Sequence, residues 1–306
     1  MKAAVCTGYG PPEVVVIKEI AKPKPGKGDI LVKVAASAVN SGDARVRGLA
    51  VSGLMRVVMR LVLGCNSPRK PVLGVVFAGT VEETGSDVTE FKPGDEVFGL
   101  SGFRFGGHAE YISLPAKGII VRKPENATFE EAAAIAFGGQ TSHFFLHQSG
   151  IAKRDKPKVL IIGATGAVGS AAVQIAHYYN ARVTAVCSSA GGDLARKLGA
   201  ENVICYDKED FTKTPERFDI VFDAVDKAPE KICGHLLSPS GVYTTVGGMN
   251  YAKESREQLE FLKQRFEEGR YDAVIENVYT LDQITEAHRH VDSGRKKGNS
   301  VLVISG

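Results

Sequence analysis

The sequence predicts an α/β protein with two domains, a β-rich barrel or sandwich followed by a doubly wound parallel sheet. Before residue 124, short β-branched runs are separated by glycine and proline. After it, apolar runs of strand length alternate with segments of helical periodicity. A glycine-rich turn at 163–169 joins one of these strands to the following helix. With 306 residues the chain is long enough for both domains.

Turn residues bound the strands expected in the first part. In the segment 91–97, Pro93 fixes one backbone angle and Gly94 accepts a positive one, as a tight reversal requires. Regular spacing of short strands is typical of a barrel or sandwich. The runs are VVVIKEI (14–20), DILVKVAASAV (29–39), VVFAGTVEETG (75–85), DEVFGL (95–100) and AEYISL (109–114).

The second part predicts parallel βαβ units, because strands and helices alternate at the spacing of such crossovers. The final segment, 275–304, is expected to form strand, helix and strand, and its last strand could close either the parallel sheet or the first domain. The other expected strands are 158–162, 181–187, 202–206, 218–225 and 241–248, and the expected helices cover 170–179, 193–200, 228–237 and 253–268.

Composition excludes several classes of function. The net charge is only +3, and no stretch interleaves Lys and Arg with aromatic residues, so nucleic acid is not an expected partner. The five cysteines are scattered and form no C-x-x-C pair, which argues against disulfides and structural zinc and fits a reducing compartment. The N-terminus lacks an apolar signal core, and we expect a soluble cytoplasmic protein without membrane spans.

The apolar segment 49–63 is too short to span a membrane and is interrupted by Arg56 and Arg60. It predicts an amphipathic helix or a loop. Such an element could cap a substrate cleft and set substrate size, or it could be a partly buried helix or a dimer contact. The sequence leaves these alternatives open.

The strongest local signal is the turn GATGAVG. Gly163, Gly166 and Gly169 recur at three-residue steps between a strand and a helix. Glycine allows a tight turn and close approach of a pyrophosphate, which the N–H groups and positive dipole end of a helix N-terminus then bind. The turn therefore predicts a dinucleotide site, the alternative being a turn that only packs helix on strand.

The next strand predicts the form of the dinucleotide. It ends in Ser188 and Ser189, and no acidic residue occurs between Val183 and Gly192. A protein that binds NAD usually has Asp or Glu here for the ribose 2′-hydroxyl, whereas two hydroxyls could donate to a 2′-phosphate. This pattern favours NADP, although the serines could simply begin a loop.

Several segments together resemble the medium-chain dehydrogenase/reductase superfamily, in its zinc-free, quinone-oxidoreductase-like branch. They are the MKAAV start, VNSGDARVRG, GVVFAGTVEETGSDVTEFKPGDEVFG, FEEAAAIAFGGQTSH, GATGAVG and LGAENVICY. The resemblance implies a GroES-like β-barrel catalytic domain (1–123 and 272–306) and a Rossmann dinucleotide-binding domain (124–271), with the nicotinamide in the cleft between them. It also implies a homodimer formed through the edge of the Rossmann sheet, with GVYTTVGG as an edge strand.

The resemblance carries cofactor roles onto individual residues. Gly166, Ala167 and Val168 match the pyrophosphate turn, and Ser188 matches a 2′-phosphate contact. Related NADP enzymes often have Lys or Arg after the serine pair, where this chain has Ala190-Gly191-Gly192, so Arg196 or Lys197 could substitute. The remaining cofactor positions are Thr141 and the pair Val246 and Gly247 near the nicotinamide, Tyr206 at the adenine-phosphate end, and Asn299 as a late contact.

The zinc ligands of the zinc-dependent relatives are missing. The first ligand region reads Ala38-Val39-Asn40-Ser41 and the second reads Gly74-Val75-Val76, with no thiolate or imidazole in either. Without a Lewis acid, conjugated enones, quinones and activated aldehydes are the easier hydride acceptors. Asn40 is the candidate catalytic residue, because its amide could polarise a substrate oxygen or position the cofactor; the alternative is an ordinary turn residue.

These observations predict an NADPH-dependent, zinc-independent reductase of quinones or α,β-unsaturated carbonyls. The alternatives are a zinc-free alcohol dehydrogenase or aldehyde reductase, and a non-catalytic NADPH-binding regulatory protein.

Among the seven histidines, His108 is expected to bond to backbone. His143 and His147 have the i, i+4 spacing of metal ligands, but they lack a third ligand and are interpreted as one helix face.

Overall fold

The computed structural model describes residues 1–49, 53–248 and 251–305. The chain divides into two compact units, Met1–Phe137 with Ile275–Gly306, and Gly138–Val274. The first unit is therefore discontinuous in sequence. The catalytic and dinucleotide-binding domains expected from the sequence have their boundaries at 123/124 and 271/272. This division into functional domains stays a prediction.

The first unit is built around a seven-stranded sheet and a two-stranded ribbon. Its strands are β1 (Lys2–Cys6), β2 (Val15–Glu19), β3 (Asp29–Val39), β4 (Val76–Thr84), β5 (Glu96–Leu100), β6 (Tyr111–Pro115), β7 (Ile119–Arg122), β13 (Ile275–Thr280) and β14 (Asn299–Val303). Its helices are α1 (Ser41–Gly48), α2 (Gly53–Leu63) and α8 (Ile284–Asp292), and α3 (Phe129–Gln148) crosses the division between the units.

Strand β3 holds this sheet together. It pairs antiparallel with β4, β6 and β14, and its residues Ile30, Val32 and Val34 are fully buried. They face a core that includes Phe77 and Ile120. Because alternate residues of a strand point to the same face, these three side chains place one face of β3 in the centre of the unit.

The second unit is a parallel sheet in the order β10-β9-β8-β11-β12. Its strands are β8 (Lys158–Ile162), β9 (Arg182–Cys187), β10 (Asn202–Cys205), β11 (Phe218–Asp223) and β12 (Leu237–Thr245), and its helices are α4 (Ala167–Tyr178), α5 (Gly192–Lys197), α6 (Glu230–Cys233) and α7 (Arg256–Glu267). Continuous apolar runs such as Val159–Ile161 are fully buried, as expected for a parallel strand. In sequence rank the order is 3-2-1-4-5, which is the doubly wound Rossmann arrangement.

The predicted α/β fold class is confirmed, and the structure adds details that the sequence left open. Strand β14 pairs with β3, so the last strand closes the first unit and not the parallel sheet. Strands β1 and β7 were not among the strands expected from the sequence. Of the segment 49–63, residues 50–52 lie outside the described part; Gly53–Leu63 is a helix with the exposed side chains Val57, Leu61 and Val62.

In the described part of the chain, no helix is both long enough and apolar enough to cross a membrane.

Candidate functional site

The carboxyl ends of the five parallel strands meet at one edge of the sheet. Strand β8 is central, with β9 on one side and β11 on the other, so consecutive connections diverge from its end. In sheets of this kind ligands bind at that switch point. The predicted residues Gly163, Ser188, Tyr206 and Val246 all follow strand ends at this edge.

Two of the three glycines in the turn after β8 are required by packing. Gly163 has a φ of +76°, and a Cβ there would lie 2.3 Å from Val225 Cγ1. A Cβ at Gly169 would lie 2.0 Å from the carbonyl oxygen of Gly163. Both positions therefore need glycine for the protein's own structure, which is the packing role considered for this motif.

Gly166 differs from both. Its φ is −74°, and a Cβ would approach nothing closer than Gly163 O at 3.7 Å. It is the N-cap of α4, and no side chain caps this helix. The absent side chain leaves the N-terminus of α4 uncovered at Ala167 and Val168, where the first N–H groups have no partner in the helix. Packing does not explain this glycine, and an uncapped helix N-terminus is a place at which an anion can bind.

Helix α3 packs against the first residues of α4. A Cβ at Gly138 would lie 2.3 Å from the carbonyl oxygen of Ala167, so the two backbones are in close contact. The Ser142 hydroxyl donates to the carbonyl oxygen of Val168 at 2.6 Å. Thr141, the predicted nicotinamide-side residue, is 7% exposed on the same helix. These contacts fix the helix start at which an anion would bind.

Gln140 is a polar residue that the sequence analysis missed. It is fully buried, its Oε1 accepts from Ser255 N at 2.8 Å, and its Nε2 has no partner among the described residues. A buried amide with a free donor is costly unless it is paired. Only its position beside Thr141 in GGQTSH could have suggested a role.

The serine pair after β9 lies close to the glycine turn. A Cβ at Gly191 would lie 2.9 Å from Thr165 Cγ2, so the two loops touch. Ser188 begins a short 3₁₀ turn and its side chain makes no capping bond. Ser189 differs, because its hydroxyl donates to Asp207 Oδ2 at 2.6 Å and its N–H donates to Asp207 Oδ1 at 2.8 Å. Ser188 thus keeps the free hydroxyl expected of it, and Ser189 does not.

The structure distinguishes between the two cations that could substitute near this pair. Lys197 forms an ion pair with Asp272, with Nζ 2.9 Å from Oδ2. Arg196 Nη1 is 3.2 Å from Asp193 and 3.4 Å from the position of a Cβ on Gly192, beside the serine loop. Both cations are paired with an aspartate, and Arg196 is the better placed of the two because it lies beside the serine loop.

The other predicted residues of this unit lie at the same edge. Tyr206 is 60% exposed, and its N–H donates to the carbonyl oxygen of Cys187. Val246 N donates to the carbonyl oxygen of Asp223, and a Cβ on Gly247 would clash with Asp226. Gly247 therefore lies at the predicted cofactor edge, in close contact with the exposed side chain of Asp226.

Asn40 lies in the first unit and caps α1. Its Oδ1 accepts from Gly42 N at 2.8 Å and from Asp43 N at 3.2 Å, while Asp43 Oδ2 accepts from Asn40 N at 3.0 Å. The turn-forming role considered for Asn40 is thus real. The same bonds consume only its oxygen, because Nδ2 is buried and has no partner among the described residues.

Asn299 lies near Asn40. It is the first residue of β14, where Ser300 pairs with Val39, the residue before Asn40. The register therefore brings these two amides to the same end of the β3–β14 pair. The sequence predicts separate roles for them, catalytic for Asn40 and cofactor-binding for Asn299, and the structure brings them together.

Behind Asn40 lies a buried polar cluster that the sequence did not reveal. Asp43 is fully buried, and desolvation raises the pKa of its carboxyl group despite the opposing effect of His108. His108 Nε2 lies 3.3 Å from the carbonyl oxygen of Ala38, which is the expected backbone contact. Its ring meets that of His288 edge-on at 6.1 Å, and burial lowers the pKa of His288 to about 2, so this imidazole is neutral.

Comparison with known proteins identifies the family. The profile of the alcohol dehydrogenase GroES-like domain matches residues 26–125, and profiles described as zinc-binding dehydrogenase match 167–267 and 247–302. The chain is 30% identical over 319 residues to 2-methylene-furan-3-one reductase of Solanum lycopersicum, covering 99% of this chain and 79% of that protein. The chain belongs to the medium-chain dehydrogenase/reductase superfamily, in its quinone-oxidoreductase-like branch.

Two further members of the superfamily are similar over the whole chain. NADPH-dependent alkenal/one oxidoreductase of Arabidopsis thaliana is 30% identical over 319 residues, covering 99% of this chain and 79% of that protein. The structure of the quinone oxidoreductase from Coxiella burnetii has a TM-score of 0.85 at 25% identity, covering 100% of this chain and 99% of that one.

The superfamily's dinucleotide fits the residues of the second unit. The uncapped start of α4 at Gly166 can bind a pyrophosphate, and Ser188 keeps a free hydroxyl in the neighbouring loop.

In the part of the chain that the structure describes, no three His, Cys, Asp or Glu side chains converge as metal ligands. The stacked rings of His143 and His147, 4.1 Å apart, contact Phe261 and Tyr179. They form an aromatic helix face, as expected.

Proposed function

We propose that this protein is an NADPH-dependent, zinc-independent reductase that transfers hydride to quinones or α,β-unsaturated carbonyls. The observation that carries the proposal is the open N-terminus of α4 at Gly166, a glycine that neither backbone conformation nor packing requires. A ligand with a pyrophosphate accounts for that glycine.

The chain's residues divide the work between binding and polarisation. Gly163, Gly169 and Gly138 hold the turn, and the N–H groups of Ala167 and Val168 bind the pyrophosphate. A nicotinamide supplies the hydride when bound. The cofactor contacts proposed with them are Thr141, Ser188, Ser189, Tyr206, Val246, Gly247 and Asn299.

Asn40 is the proposed polarising residue. Hydride addition to an enone leaves negative charge on the carbonyl oxygen, and a fixed N–H donor stabilises that charge. Because capping bonds hold Oδ1, the amide is oriented and Nδ2 remains the free donor. The burial of this donor strengthens its interaction with a developing anion.

The substrate class rests on relatives and on ligand chemistry. The relatives act on a methylene-furanone, on alkenals and enones, and on quinones by their names. The two regions in which zinc-dependent members carry ligands read Ala38-Val39-Asn40-Ser41 and Gly74-Val75-Val76 here, and neither contains a thiolate or an imidazole. An activated acceptor suits a site that supplies hydrogen-bond donors and not a Lewis acid.

The test is the oxidation of NADPH, followed by the loss of nicotinamide absorbance, with a panel of quinones, enones, aldehydes and simple ketones, with and without chelator. We expect turnover with quinones or enones that the chelator does not change. Turnover confined to aldehydes and simple ketones would favour a zinc-free alcohol dehydrogenase or aldehyde reductase. Tight NADPH binding without turnover of any acceptor would favour a regulatory protein.

We further propose a cytoplasmic homodimer. Strand β12 is an edge strand of the described parallel sheet, and it presents Val242, Tyr243 and Thr244 next to Gln148 and Ser149 in a shallow cavity of about 290 Å³. Edge strands readily pair with a second copy. Light scattering on a size-exclusion column should give twice the 32.7 kDa chain mass, and a monomer at all concentrations would exclude this assembly.

A further inference from the structure

An acidic side chain lies on the serine pair that was expected to bind a 2′-phosphate. Asp207 follows β10, and Ser189 follows β9, the neighbouring parallel strand. Cys205 pairs with Cys187 in the strand register, so the residues just beyond both strands lie side by side. The Asp207 carboxylate accepts from Ser189 N at 2.8 Å and from Ser189 Oγ at 2.6 Å.

These two donors are the ones that a phosphate at this position would use. Phosphate oxygens bind most strongly to N–H and O–H groups that no other anion already holds. The bonds from Ser189 hold the pKa of Asp207 below its usual value, so its side chain carries a negative charge at neutral pH. A 2′-phosphate at the serine pair would therefore meet a like charge and occupied donors.

A ribose 2′-hydroxyl would meet neither obstacle. A carboxylate has about four lone-pair sites, and Ser189 uses one on each oxygen, so acceptor capacity remains. A hydroxyl can donate to those sites, which a phosphate cannot do. The arrangement thus favours the unphosphorylated ribose relative to a serine pair without Asp207.

We propose that Asp207 is the residue that sets the choice between the two nicotinamide cofactors, by opposing the 2′-phosphate at Ser189 and admitting NADH beside NADPH. The inference rests on the proposed function, since it concerns the cofactor of that same site. Arg196, beside Gly192, acts in the opposite sense, and the balance of the two charges fixes the selectivity.

The chain offers a matched control three residues further on. Asp210 is also exposed, and its Oδ1 accepts from Thr212 N at 3.0 Å and from Thr212 Oγ1 at 2.6 Å. Asp207→Asn and Asp210→Asn therefore remove the same charge and disturb similar local bonds, but only the first removes it from the serine pair.

The experiment is fluorescence titration of the full chain with NADPH and with NADH, for the wild type, Asp207→Asn, Asp207→Ser and Asp210→Asn. Thermal unfolding checks that each variant is folded. We expect both Asp207 variants to raise the preference for NADPH over NADH, the ratio of the two dissociation constants, at least fivefold. Asp210→Asn should change it less than twofold. The effect should shrink at high salt, because the charges are exposed.

The outcomes separate the two proposals. A wild type that binds NADPH or NADH, with folded Asp207 variants whose preference changes less than fivefold, overturns the role of Asp207 alone. An equal change in Asp210→Asn also overturns it, since a general charge effect then suffices. A wild type that binds neither nucleotide removes the proposed function as well.

Discussion

Asn40 and Asp43 each bond to the other's backbone N–H at the start of α1. The Asn40 oxygen accepts from Asp43 N, and the Asp43 carboxylate accepts from Asn40 N. This reciprocal capping consumes the oxygen of the amide and leaves its nitrogen available. One side chain can therefore stabilise the fold through one atom and serve the reaction through the other.

Substitution at Asn40 can separate these two roles. Asn40→Ser keeps a capping oxygen but has no amide N–H, so we expect near-normal stability and a loss of kcat of about tenfold or more. Asn40→Ala should show the same loss of kcat and, in addition, cost about 1 kcal/mol in the free energy of unfolding.

The control for Asn40 is Thr128→Ala, which removes a similar cap from α3, where Thr128 Oγ1 accepts from Glu131 N at 3.2 Å. It should lower stability by about 1 kcal/mol and leave kcat unchanged. Equal kcat in Asn40→Ser and wild type would show that Asn40 is a structural cap only.

The glycines of the turn after β8 should respond differently to alanine. Gly166→Ala adds a methyl group in open space, so the free energy of unfolding should change by less than about 1 kcal/mol while NADPH binding weakens about tenfold. Gly169→Ala forces a contact with Gly163 O and should cost about 2 kcal/mol or more. Chemical denaturation and NADPH titration measure both effects, and a Gly166→Ala protein with unchanged affinity would remove the main support for the site.

Arg196→Gln should weaken binding of NADPH more than that of NADH. The guanidinium lies beside Gly192 at the serine loop, where it can attract a 2′-phosphate, and its 59% exposure limits the effect to about threefold to tenfold. Lys197→Gln is the control, because Lys197 bonds to Asp272 and should affect neither cofactor selectively. Equal loss for both cofactors in Arg196→Gln would contradict a contact with the 2′-phosphate.

Glu254 predicts a specific dependence of stability on pH. Burial raises the pKa of its carboxyl group from 4.5 to about 7, so the folded chain holds the proton more tightly than the unfolded chain. The contribution of the protonated Glu254 to the free energy of unfolding is fully present below pH 4.5 and is lost as the pH rises through about 7. Glu254→Gln should therefore raise the free energy of unfolding at pH 8, by at most ~3 kcal/mol, and change it little at pH 4.

The control for this effect is Glu257→Gln, since Glu257 is fully exposed and its pKa is lowered by Ser255. Urea unfolding at several pH values compares the two variants. A Glu254→Gln gain that is the same at pH 4 and pH 8 would show that charge burial is not its cause.

The sequence predicted those features that depend on neighbouring residues. The turn at 163–169, the strand before it and the helix after it follow from local spacing, and so does the tight reversal at Gly94, whose φ is +93°. The parallel direction of the strands in the second sheet follows from the alternation of strands and helices.

Features that depend on strand pairing could not be predicted in the same way. An acid for the ribose is expected at the end of β9, within residues 183–192, whereas the acid that bonds to the serine pair is Asp207, 18 residues from Ser189 along the chain. The proximity of Asn40 and Asn299 depends on β14 joining β3, which the sequence left open. Asp207 could have been proposed from its place after β10, because β10 and β9 are neighbouring parallel strands and end at the same edge of the sheet.

The pairing of β14 with β3 has a consequence for how the protein is made. On the ribosome the N-terminal segment emerges first, yet its central sheet lacks a strand until residues 299–303 have been synthesised. The continuous unit, Gly138–Val274, is synthesised while residues 36–39 of β3 still lack the partner that β14 provides. The unit that begins the chain can therefore be completed only after the second unit has been synthesised.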